Sequence, residues 1–91
     1  LLDGERVVDA EVTGEEQALL TKQYTERAVA FVERHRDEPF FLYVPHTMVH
    51  VPLFASPAFA GRSGRGAFAD VVMEIDWSVG EILAALQRCG L

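Results

Sequence analysis

Hydrophobic positions along this 91-residue chain fall into three patterns, and each predicts an element. Leu20, Tyr24, Ala28, Phe31 and Val32 recur at helical spacing, so a helix is expected over about 14–36. Thr13 and Glu16 mark its start with capping-box spacing: the hydroxyl accepts from an orphan amide and the carboxylate reaches back. Arg34, His35 and Arg36 crowd its last turn, where the helix dipole favours cations, and Pro39 stops it. His35 is most simply a partner of that dipole. The next pattern is "PFFLYVP", an apolar run without alternation between two prolines. It reads as a strand over about 40–45, buried on both faces as in a parallel sheet. The third is a stripe of Phe68, Val71, Val72, Ile75, Val79, Ile82, Leu83 and Leu86, a second helix over about 67–89. Core packing explains that stripe. Asp70, Glu74 and Asp76 are then expected on its solvated face, with Arg88 at the end and Gly90 as a C-cap.

The remaining segments connect these elements. Residues 1–12 hold the turn signal Asp3-Gly4, and Val7 and Val8 suit a short strand. A loop over about 46–66 contains Pro52, Pro57 and "GRSGRG". It is long for a connection, and long ordered loops are often functional. No repeat or low-complexity segment occurs. One strand buried on both faces cannot pair its own edges, because its amides and carbonyls need neighbouring strands. The expected fold class is therefore α/β, a helix–strand–helix piece of a larger domain. The alternative is that the missing strands come from another copy of the chain.

Composition narrows the function classes. With 14 Asp and Glu against 8 Lys and Arg, the net charge is −6, which argues against a nucleic-acid partner. A solvated acidic surface is the simpler reading. An apolar content of 49% is that of a globular chain, and no run approaches the roughly 18 residues of a membrane span. No signal peptide is visible, and a start at Leu1 without Met suggests processing or cutting. The single Cys89 forms no internal disulfide and reads as a core thiol.

The candidate chemistry lies just past the predicted strand, in "PHTMVHVP". Ligands of α/β sheets bind beyond the carboxyl ends of strands, where His46 and His50 stand. A histidine there can donate to an anion or protonate a leaving group near neutral pH. A polar loop histidine without chemistry is the commoner case. The i, i+4 spacing of the pair suits zinc only on a helix, which Pro45 and Pro52 oppose, and zinc needs a third protein ligand. "GRSGRG" offers glycines and arginines for an anion but lacks phosphate-loop spacing, and a flexible link explains it as well. Ser56, Ser63 and Ser78 lack a nucleophile motif.

"PFFLYVPHTMVHVPLF" followed by "GRSGRGAFADVVMEIDWSVGEILAALQRCGL" resembles the sulfatase family on its arylsulfatase branch. The shared pattern is a P-F-F-L-Y strand, an H-x-x-x-H-x-P loop, a G-R-G segment and a helix carrying E-I-D-x-S-V-G. The lead-in "LTKQYTERAVAFVERHRDEPFFLY" is similar too, so the likeness covers about residues 13–91. The resemblance implies a larger alkaline-phosphatase-like sulfatase domain that hydrolyses sulfate esters. It implies a formylglycine nucleophile, made from the Cys or Ser of C-x-P-S-R, and a calcium ion that polarises the sulfate. It implies lysines and histidines on the sulfate oxygens, and the second loop histidine, here His50, is one of these. His46 occupies the other loop position, whose role varies among members. Pro45 stands where a small residue is usual, and Val49 where a proline is usual. The chain holds no C-x-P-S-R, no calcium-site Asp pair and no D-N-G segment. The expectation is therefore a sulfatase segment that is inactive by itself, with calcium and formylglycine belonging to the whole protein. Family members are commonly secreted, periplasmic or lysosomal. Two other classes compete with this expectation. One is a non-catalytic module that self-associates through "FFLYV"; the other is a small zinc protein built on His46, His50 and Cys89.

Overall fold

The computed structural model describes residues 1–91. Two strands come first, β1 (Leu2–Asp3) and β2 (Arg6–Val7). They pair antiparallel, Leu2 with Val7 and Asp3 with Arg6, around the two-residue turn Gly4-Glu5. Gly4 takes a φ of +61°, the left-handed region that favours glycine at such a turn. Asp3 forms an ion pair with Arg27, which ties the hairpin to the helix behind it.

The first helical region divides in two: α1 (Gly14–Gln17) and α2 (Leu20–Arg34). The capping box forms, with Glu16 N donating to Thr13 Oγ1 at 3.3 Å and Thr13 N to Glu16 Oε2 at 2.7 Å. The single helix expected over 14–36 is interrupted at Ala18 and Leu19. There the amides bond to Glu15 and Glu16 three residues back, a tightened turn rather than α geometry. The third helix, α3 (Ala67–Arg88), lies beside α2. Thr25 meets Ser78 and Glu33 meets Arg88, so the two helices run in the same direction.

The extended segment between them differs from its sequence-based expectation. The only sheet is the hairpin, and 40–45 joins no ladder. Its exposure alternates: Phe41 is 88% and Tyr43 74% exposed, while Leu42 and Val44 are half-buried. One face packs on the chain and the other faces out. The run is apolar on both sides, and these 91 residues cover one of them.

A similar correction applies to α3. Its buried side, toward α2 and the loop before it, carries Asp70, Val71, Glu74, Ser78 and Ala85. Phe68, Val72, Val79 and Leu83, expected in the core, are exposed on another face of the same helix. Asp70 and Glu74, expected in solvent, are 5% and 1% exposed. A helix that is apolar on more than one side suits burial on several sides, so its stripe does not say which side meets α2.

The inner core holds seven apolar residues, among them Ala28, Val32, Val71 and Ala85, and six polar ones. The chain is slab-shaped, 41 × 31 × 18 Å, with a radius of gyration of 14.2 Å. A compact domain of this length would have about 12 Å. The slab follows from two helices with no full sheet beneath them. No helix is long and apolar enough to cross a membrane.

Candidate functional site

The loop between the extended segment and α3 runs back along α3 and is pinned to it at three successive turns. Asp70, Glu74 and Ser78 are spaced i, i+4, i+8, which stacks them on one face. Asp70 accepts from the amides of Gly61 at 2.8 Å and Ser63 at 2.9 Å. Glu74 Oε2 accepts from Ser56 N at 2.9 Å. Ser78 Oγ lies 2.8 Å from His46 Nε2. The loop order 46, 56, 61 and 63 thus matches 78, 74 and 70, so the loop runs antiparallel to the helix.

These anchors give "GRSGRG" a definite task. Amides of this segment do cradle an anion, as the glycines suggested, but the anion is the chain's own Asp70. Hydrogen bonding from Ser63, side chain first and then backbone, together with the Gly61 amide, holds the Asp70 carboxyl below its ordinary 3.8. The Arg62 guanidinium lies 5.6 Å from the centre of the Phe59 ring, which packs against Trp77. Glu74 Oε1 is sealed from solvent and has no hydrogen-bond partner, the one such atom in the chain.

The two candidate histidines part company. His46 is half-buried and turned inward onto Ser78. His50 is exposed, in a turn closed by its amide on the Thr47 carbonyl at 3.1 Å. Its Nδ1 sits 2.7 Å from the Val51 carbonyl oxygen. A carbonyl only accepts, so Nδ1 carries the hydrogen and Nε2 is the free nitrogen. His50 borders an open cleft of about 610 Å³ with Leu20, Tyr24, Thr47 and Pro52. Met48, 8% exposed, is the apolar anchor between the two histidines. No hydrogen bond joins the rings of His46 and His50.

No three His, Cys, Asp or Glu side chains come together in ligating geometry, so calcium does not fit the donors present. Cys89 is half-buried as the C-cap of α3. The buried polar residues around the loop that the sequence reading did not place there are Thr21, Thr25, Glu74 and Ser78. One signal was available: Asp70, Glu74 and Ser78 make a polar row at i, i+4, i+8 along one line of a largely apolar helix.

The family profile, the relatives and the fold agree on one class of protein. The Sulfatase family profile matches residues 4–91, and the chain belongs to the sulfatase family. Among its relatives, mouse steryl-sulfatase is 47% identical over 72 residues, which is 79% of this chain and 12% of that protein. Mouse N-acetylgalactosamine-6-sulfatase is 47% identical over 81 residues, 87% of this chain and 15% of that protein. A solved structure from work on glycosaminoglycan metabolism by Bacteroides thetaiotaomicron superimposes with a TM-score of 0.77 at 40% identity. The superposition covers 80% of this chain and 15% of that one. The chain spans about an eighth of the length of the curated relatives it matches.

Proposed function

We propose that this chain is the histidine-loop segment of an enzyme that hydrolyses sulfate esters, arylsulfatase-like in substrate, with His50 as its reactive group. The observation that carries the reading is the state of His50. It is exposed, its Nδ1–H is committed to the Val51 carbonyl, and its Nε2 is free at the edge of a cleft. As an imidazolium, Nε2–H donates to a sulfate oxygen or hands its proton to the leaving ester oxygen. As the neutral ring it can only accept there. Three anchors on α3 hold the loop that carries it, so the ring is delivered from a fixed backbone. In the intact domain, an alkaline-phosphatase-like α/β fold, the segment 40–45 is an inner strand whose exposed Phe41 and Tyr43 are covered by further structure.

The calcium and formylglycine of the family belong, on this reading, to other parts of the protein. The 91 residues contain neither a fitting donor set nor C-x-P-S-R. The test is turnover of an aryl sulfate by the full-length protein and its His50→Ala form. His50→Ala is expected to lower kcat by about 10²–10⁴, the scale of a positioned acid–base group, with folding little changed. Wild-type turnover without the ring would sink the assignment.

A second reading is favoured by the outward face of the extended segment. Phe41 and Tyr43 are among the most exposed apolar side chains of the chain, on a segment whose backbone joins no ladder. By itself the chain is then a module that self-associates through that edge.

A further inference from the structure

The contact between His46 and Ser78 is the end of a longer chain of hydrogen bonds that ties the loop to both helices. Thr25 Oγ1 lies 2.7 Å from the Thr21 carbonyl oxygen and 2.6 Å from Ser78 Oγ. Ser78 Oγ lies 2.8 Å from His46 Nε2. Thr21, Thr25 and Ser78 are 3%, 2% and 0% exposed, so the series runs through the buried interior.

The direction of the protons follows from counting them. The Thr21 carbonyl has no hydrogen, so Thr25 must donate to it. Thr25 then has none left, and Ser78 must donate to Thr25. Ser78 has then used its own, so the hydrogen between Ser78 and His46 belongs to Nε2. Giving the Ser78 hydrogen to His46 would leave the single Thr25 hydrogen to serve two oxygens at 2.7 and 2.6 Å, a weaker arrangement in a buried interior. Nδ1 of His46 makes no hydrogen bond within the chain and is not sealed from solvent.

We propose that His46 is a positioning residue, locked as its Nε2–H tautomer by a hydroxyl relay through Ser78 and Thr25, and that this relay sets the loop that presents His50. The two loop histidines are therefore opposite tautomers with different tasks. His50 donates through Nδ1 to its own loop and works through Nε2. His46 donates through Nε2 to the helices and keeps Nδ1 as its one acceptor. As the neutral ring, His46 offers an acceptor rather than a donor at Nδ1 to whatever approaches it. The effect on turnover rests on the sulfatase reading; the tautomer does not.

The experiment combines nitrogen NMR of 15N-histidine-labelled full-length protein with aryl sulfate kinetics, using two substitutions at Thr25. Thr25→Val keeps the shape and removes the hydroxyl, which frees the Ser78 proton for Nε2. Thr25→Ser keeps the hydroxyl and removes a methyl group. His46 in the unsubstituted protein is expected as the Nε2–H form. Thr25→Val is expected to raise the Nδ1–H population and to lower kcat about 10-fold at unchanged KM, the scale of a lost orienting partner. Thr25→Ser is expected to keep both the tautomer and kcat within about twofold, whereas a role in packing alone would make it the worse of the two. An Nδ1–H form of His46 in the unsubstituted protein overturns the proposal, and that measurement decides even if Thr25→Val fails to fold. Equal behaviour of the Val and Ser forms overturns it too. Absence of sulfatase turnover in every form, with His46 still Nε2–H, would instead refute the sulfatase reading and uphold the relay.

Discussion

Removing the Glu74 side chain tests the middle anchor of the loop. Its Oε2 accepts from Ser56 N at 2.9 Å, and the residue is 1% exposed. Glu74→Ala leaves the Ser56 amide without an acceptor where water does not reach. A hydrogen bond to a carboxylate in such a place contributes about 1.5–3 kcal/mol, which is roughly a 10- to 150-fold change in a local opening equilibrium. The assay is hydrogen–deuterium exchange by mass spectrometry on the full-length protein, read on peptides spanning 53–60. Those peptides are expected to exchange faster by that factor, while peptides from α2 change much less. Glu74→Gln is the control, since it keeps an oxygen for Ser56 and removes the buried oxygen that has no partner. It is expected to retain most of the protection. Two outcomes refute the reasoning: unchanged exchange in Glu74→Ala, or Gln and Ala forms that exchange alike.

Three further expectations follow from the same geometry. Asp70 has its folded pKa lowered below 3.8, so its contribution is complete above that pH and is lost as pH falls through the lower folded value. Peptides spanning 60–65 should thus lose protection on acidification below about 4, and Asp70→Asn should lack this acid-dependent component. The 91-residue chain alone should show no turnover of an aryl sulfate, because no nucleophile or metal donor set accompanies His50; turnover abolished by His50→Ala would contradict this. The same chain should self-associate through its outward edge, and Phe41→Lys should weaken the association where Leu42→Lys, on the inner side, would disturb folding. Size-exclusion chromatography with light scattering measures this, and a sharp, concentration-independent monomer would contradict it.

How much of this was legible beforehand depends on the range of the physics. The capping box at Thr13 and Glu16, the turn at Gly4 and the limits of α3 were readable, because each is decided by residues within about one turn of one another. The H-x-x-x-H-x-P loop and the E-I-D-x-S-V-G helix carried the family, since their spacing is itself the signal. Periodicity also located the apolar face of α3 but could not say what it faces: Phe68, Val72, Val79 and Leu83 look outward, and the polar row meets α2 and the loop. The break at Ala18 and Leu19 escaped notice because the apolar pattern continues across it. The family pattern set His50 apart from His46, but the physical cause of their unequal lives does not show in the local sequence. Both are loop histidines with a proline within two residues, and neither finds its deciding partner in the local sequence. Tertiary structure decides, because a polar side chain is buried or free according to whether another part of the chain brings it a partner. His46 finds Ser78 from 32 residues away, and Ser78 finds Thr25 from 53. His50 meets only its own backbone and is left with a nitrogen to spare.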